Sequence, residues 1–157
     1  MLSQTRIFLL ILALAFSFGG FTFYSAAVIP IGSDVLDKTT QGFVTQRVTH
    51  VINAASLVSL LLFAWQGFVV RRQLSKFSVR CMILLLCIYS CSLISLVVIH
   101  PYMDGLLDFD DLSVKDPDTF YQMHRAYLWI STLQWLTTIA LIWLVICSPS
   151  SRFESPS

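Results

Sequence analysis

The sequence predicts an all-α integral membrane protein, a bundle of four helices that each cross the bilayer. Three observations predict it. Of 157 residues, 56% are hydrophobic and 12% charged, against about 25% charged in an ordinary soluble domain. Mean hydropathy is +0.75, which leaves too little polar surface to cover a globule of this size in water, so lipid has to be the solvent for much of the chain. Four runs are apolar over about the 20 residues that a membrane-spanning helix needs, and the charges gather between them. The expected spans are 7–28, 49–70, 81–99 and 127–147, within one unit covering 1–148.

The first run contains no charge and follows Arg6. Arg6, the apolar run and Ser25-Ala26-Ala27 also have the order of a signal peptide with its small-residue cleavage site. The apolar stretch is about 20 residues, longer than the usual 7–15 of a signal core, so an uncleaved span is expected. The second span is closed by Arg71 and Arg72, and a helix opening at Thr39 or Thr40 would carry Phe43, Arg47 and His50 into it. The third ends at His100 and Pro101, because proline lacks the backbone donor and clashes with the preceding turn. Before the fourth, Asp116-Pro117-Asp118 combines an N-cap, a proline at the first helical position and an acid in the first turn. The helix from Pro117 can run on to Cys147, so spans two and four are expected to extend beyond the bilayer on the outer side. The Ser/Pro-rich tail, 149–157, reads as a disordered cytoplasmic segment.

Orientation follows from lysine and arginine in short loops. The connection between spans two and three carries Arg71, Arg72, Lys76 and Arg80 and no acid. The connection between spans three and four carries Asp104, Asp108, Asp110, Asp111, Asp116 and Asp118 against Lys115 and Arg125. Both termini and the middle loop are therefore expected in the cytoplasm, with the two longer connections outside, in a plasma or bacterial inner membrane. The basic loop suits anionic lipid headgroups and needs no nucleic acid.

Small and polar residues let helices approach in lipid. The expected packing faces are Ala13, Ser17, Gly20, Tyr24 and Ala27 on the first span, and Asn53, Ser56 and Ser59 on the second. The third offers Cys87, Cys91 and Ser95, and the fourth Ser131, Gln134 and Thr138. Leu10 and Leu85 are expected to face lipid. The four cysteines, Cys81, Cys87, Cys91 and Cys147, all belong to apolar segments and have no zinc spacing, so they read as small buried residues in helix contacts. The spans hold no ionisable side chain at mid-membrane, which argues against a proton-coupled carrier. No GxSxG, HExxH, phosphate-loop or dinucleotide pattern is present, and no enzymatic activity is expected.

Ionisable groups gather instead at the outer end. The deduced topology puts all three histidines, His50, His100 and His124, at one membrane level. Gln46, His50 and Asn53 share a helical face with Arg47 beside them, and Arg125 follows His124. Imidazoles at one level suit a transition metal or an axial haem ligand, which would make a redox or metal-handling protein. Arg47 and Arg125 would repel a bound cation, so the first expectation is a hydrogen-bonded, ion-paired polar cap without a cofactor. The acids of the outer loop lack EF-hand spacing and read as solvated.

The stretch Phe23-Tyr24-Ser25-Ala26-Ala27-Val28-Ile29-Pro30, followed by Gln46-Arg47-Val48-Thr49, resembles the first half of an uncharacterised four-span membrane family that includes proteins like transmembrane protein 205. The resemblance implies a four-helix membrane bundle and transfers no ligand or catalytic residue. The expected role is that of an accessory or scaffold component of a membrane assembly, with a membrane-protein partner or a second copy of itself. A small-solute carrier working as an oligomer is the remaining alternative.

Overall fold

A computed structural model describes residues 2–108, 111 and 113–147; the tail expected to be disordered lies outside the described residues. Four long helices account for nearly all of it. Helix α1 covers residues 2–35, with two π-helical turns, Ala15–Gly19 and Tyr24–Val28, set between α-helical stretches. Helix α2 is Lys38–Val70, α3 is Lys76–Gly105 and α4 is Pro117–Ile146. All four are long and apolar enough to cross a membrane. Between α3 and α4, β1 (Leu107–Asp108) pairs antiparallel with β2 (Ser113–Val114), so part of the acidic connection is a small ribbon and not only a solvated loop.

Helix starts follow local chemistry. Asp116 caps α4, its carboxylate accepting from the Thr119 amide at 3.2 Å, and its bonds to Thr119 hold its carboxyl below the usual carboxylate range. Asp37 does the same for α2, accepting from the amide of Thr40 at 2.9 Å and from its hydroxyl at 2.6 Å. The start expected at Thr39 or Thr40 therefore falls earlier, because the cap is the aspartate and Thr40 its third helical residue. Ser75 caps α3 through the Ser78 amide at 3.0 Å.

The third helix does not stop at Pro101. It passes through the proline to Gly105. Proline deletes one backbone bond, a loss that packing against neighbouring helices absorbs, and the His100 and Asp104 side chains meet across the same turn, 3.1 Å apart. Expectations for helix faces divide likewise. Ser17, Tyr24, Ser56, Ser59, Ser131, Gln134 and Thr138 are buried as expected. Cys87 and Cys91 are exposed, Cys147 too, and α3 instead buries Met82, Tyr89, Ser92, Leu93, Leu96 and His100. Small polar groups need no interhelical partner when their own helix serves them: the Ser95 hydroxyl donates to the Cys91 carbonyl at 2.9 Å. Leu10, expected to face lipid, is buried in the core.

The bundle is apolar outside and mixed inside. Phe16, Phe23, Trp129 and Trp143 are each more than two-thirds exposed, while Ser59 is 0% and Gln66 3% exposed. One half of the interior, toward the α2–α3 turn, is filled by Leu10, Phe63, Met82, Tyr89, Leu93 and Leu141. Arg6 is buried at that end and donates to the side-chain oxygen of Gln66, which gives its buried guanidinium a hydrogen-bond acceptor. Ser17 and Ser59 share a hydroxyl bond of 2.7 Å. Trp135 closes the ring of helices, donating to Thr22 at 2.9 Å and stacking on Phe18 at 5.5 Å. Beyond Ser17 the interior opens into a cavity.

Candidate functional site

The half of the bundle away from the α2–α3 turn encloses a cavity of about 500 Å³. It runs from Ser17, Ser56, Tyr89 and Thr138 to His100, Asp104, Leu107 and Val114 near the ribbon. The two π-helical turns of α1 bear on it directly, because the first carries Ser17 and the second Tyr24, both buried and both lining the space. An extra residue in a turn rotates the remainder of the helix about its axis, a common device at functional positions.

Its walls are tied together by side-chain bonds between helices. The Asn53 amide of α2 donates to the Tyr127 hydroxyl of α4 at 3.0 Å. The Tyr89 hydroxyl donates to the Ser56 carbonyl at 3.2 Å, and the Tyr24 hydroxyl donates to Thr45 at 3.1 Å and receives Gln41 at 3.4 Å. Among the described residues, three buried side-chain atoms have no partner: Gln46 Oε1, Asp104 Oδ1 and Gln134 Nε2. All three residues line this cavity. Leaving a buried polar atom unpaired costs about 1–3 kcal/mol; these three, two acceptors and one donor, stand on three different helices around the one space, where water or a polar ligand group can meet them.

Two of the three histidines come together. The rings of His50 and His100 lie 4.1 Å apart between centroids. Asp104 Oδ2 is 3.1 Å from His100 Nδ1 and 3.6 Å from His50 Nε2. His100 is almost fully buried and His50 mostly exposed at the rim. The closeness of the two rings leaves no gap for a porphyrin plane, so this pair does not sandwich a haem. His124 is not part of the group: it stacks on Phe120 at 6.0 Å and contributes to the cavity wall. Gln46 and Asn53 also line the cavity, whereas Arg47 and Arg125 are exposed and do not.

Sequence reasoning missed Asp104 as a partner of the histidines, although His100 and Asp104 stand four residues apart on one helix. Ending α3 at Pro101 hid that spacing. It also missed the tyrosines Tyr89 and Tyr127, which read as apolar until their hydroxyls are seen to face the interior. Comparison with known proteins finds no matching family model, no matching curated protein and no matching solved structure.

Proposed function

We propose that this protein spans the bilayer four times with cytoplasmic termini and holds a small amphipathic molecule in the cavity between its helices, as an accessory binding component of a membrane assembly. The orientation rests on the basic α2–α3 turn and the acidic α3–α4 connection. It puts the cavity in the outer half of the bundle. The observation that carries the binding role is the cavity itself, lined from three helices by the unpartnered atoms of Gln46, Asp104 and Gln134. The volume is that of ordinary small-molecule sites. Phe18, Phe21, Leu96, Leu128 and Trp135 supply apolar lining, so the ligand has an apolar body and a head that both donates and accepts hydrogen bonds.

The test is native mass spectrometry of the chain released from its own membrane in a mild detergent. One adduct of drug size per chain is expected, lost in Gln134→Leu. A melting curve close to that of the wild type checks that the substitution leaves the fold in place. A wild-type chain that flies without adduct, or an adduct retained undiminished in Gln134→Leu, would refute the proposal.

A further inference from the structure

We propose that His50, His100 and Asp104 form a binding site for a divalent transition-metal ion at the rim of the cavity. The site stands whether or not the cavity takes an organic ligand. Its donor atoms are one imidazole nitrogen from each histidine and one carboxylate oxygen, and all lie within 4.8 Å of one another. Zinc bonds to such donors at about 2.0–2.2 Å, so two ligands at a tetrahedral ion stand about 3.4 Å apart. The observed separations of 3.1 and 3.6 Å from Asp104 Oδ2 bracket that value. His50 has the freedom to close the remaining distance, since its side chain is 59% exposed.

Two adjacent helices hold the group. His100 and Asp104 are one turn apart on α3, and His50 projects from α2 across the helix interface. Burial of His100 limits competing water, and the second oxygen of Asp104 is buried without a partner, leaving the carboxylate able to turn either oxygen to an ion. Two imidazoles and one carboxylate suit zinc, cobalt(II) or iron(II), and disfavour calcium and magnesium, which want a shell of oxygens. His100 and Asp104 also line the cavity, so the site adjoins it.

Cobalt(II) titration of the full chain in detergent, followed by visible absorption, tests the assignment. One equivalent of cobalt with a d–d spectrum is expected, displaced by zinc and not by calcium or magnesium. His50→Ala should weaken cobalt binding by about 100-fold or more, beyond what loss of a supporting partner alone costs. Being exposed at the rim, His50 is removed without disturbing the fold, and an unchanged melting curve in the presence of a chelator checks this. Asp104→Asn keeps the side-chain shape and should weaken binding as much. His124→Ala should bind cobalt as the wild type does. Absence of a stoichiometric cobalt spectrum, equal affinity in His50→Ala and the wild type, or an equal loss in His124→Ala would each overturn the site.

Discussion

Gly67 on α2 lies against Met82 on α3, and that contact gives the sharpest stability prediction. A Cβ at position 67 would come 2.8 Å from Met82 Sδ and 3.0 Å from its Cε. Met82 is 5% exposed and sits in the apolar core beside Phe63 and Leu141, so its side chain has little space to withdraw. Gly67→Leu adds a whole isobutyl group there, and overpacking of that kind costs about 1–3 kcal/mol. For a chain of this size, each kcal/mol moves the melting temperature by roughly 2–4 °C. A fall of about 2–12 °C is therefore expected in detergent by thermal denaturation. Gly20→Leu is the control, because nothing lies within 4 Å of a Cβ at that position; the expectation from sequence that Gly20 mediates close helix approach is not met. The cause is checked by adding Met82→Ala to Gly67→Leu. Met82→Ala alone opens a cavity and costs about 2–5 kcal/mol, but the new leucine can fill that space. The double variant should be less destabilised than the sum of its parts by about 0.5 kcal/mol or more. Strict additivity, or equal losses in Gly20→Leu and Gly67→Leu, would refute the contact argument.

Two further outcomes are expected. In a chain freed of native cysteines, Ser113→Cys should react with an impermeant maleimide applied from outside and Ser75→Cys should not; both positions are exposed, so access is decided by the membrane side. The reverse pattern would invert the proposed topology and place the cavity inside. Leu10→Ala should cost about 2–5 kcal/mol as a buried core truncation, because Leu10 is 4% exposed. Cys91→Leu should be nearly silent by melting temperature, since its thiol faces outward. Similar shifts at the two positions would show that the helix faces are wrongly assigned.

Much of this architecture is legible without coordinates because it depends on local chemistry and length. Four apolar runs give four helices, for a long apolar segment satisfies its own backbone most simply as a helix. Asp116 is readable as a cap because its bond closes over only three residues. The pairing of His50 with His100 follows from counting residues along antiparallel helices, which puts the two at one level. His124 shares that level by the same count, yet it turns to Phe120. Level is a matter of rise per residue, whereas the direction in which a side chain points depends on rotation about the helix axis. In α1 that rotation is altered by two π-helical turns, which no apolar pattern in the sequence announced.

What the sequence determined by itself is the number of helices, their approximate ends and the segregation of basic and acidic connections, all properties of one segment at a time. Only the tertiary structure decided that Cys87 and Cys91 face outward and Leu10 inward, that α3 carries Asp104 past Pro101 to the two imidazoles, and that Gln46, Asp104 and Gln134 surround one cavity. Each of these depends on which faces of different helices meet. A small or polar residue already bonded to its own helix gains little by turning inward, so composition alone does not choose the face. The shapes of Tyr89, Met82 and Phe63, fitted against one another across the helical surfaces of the core, do.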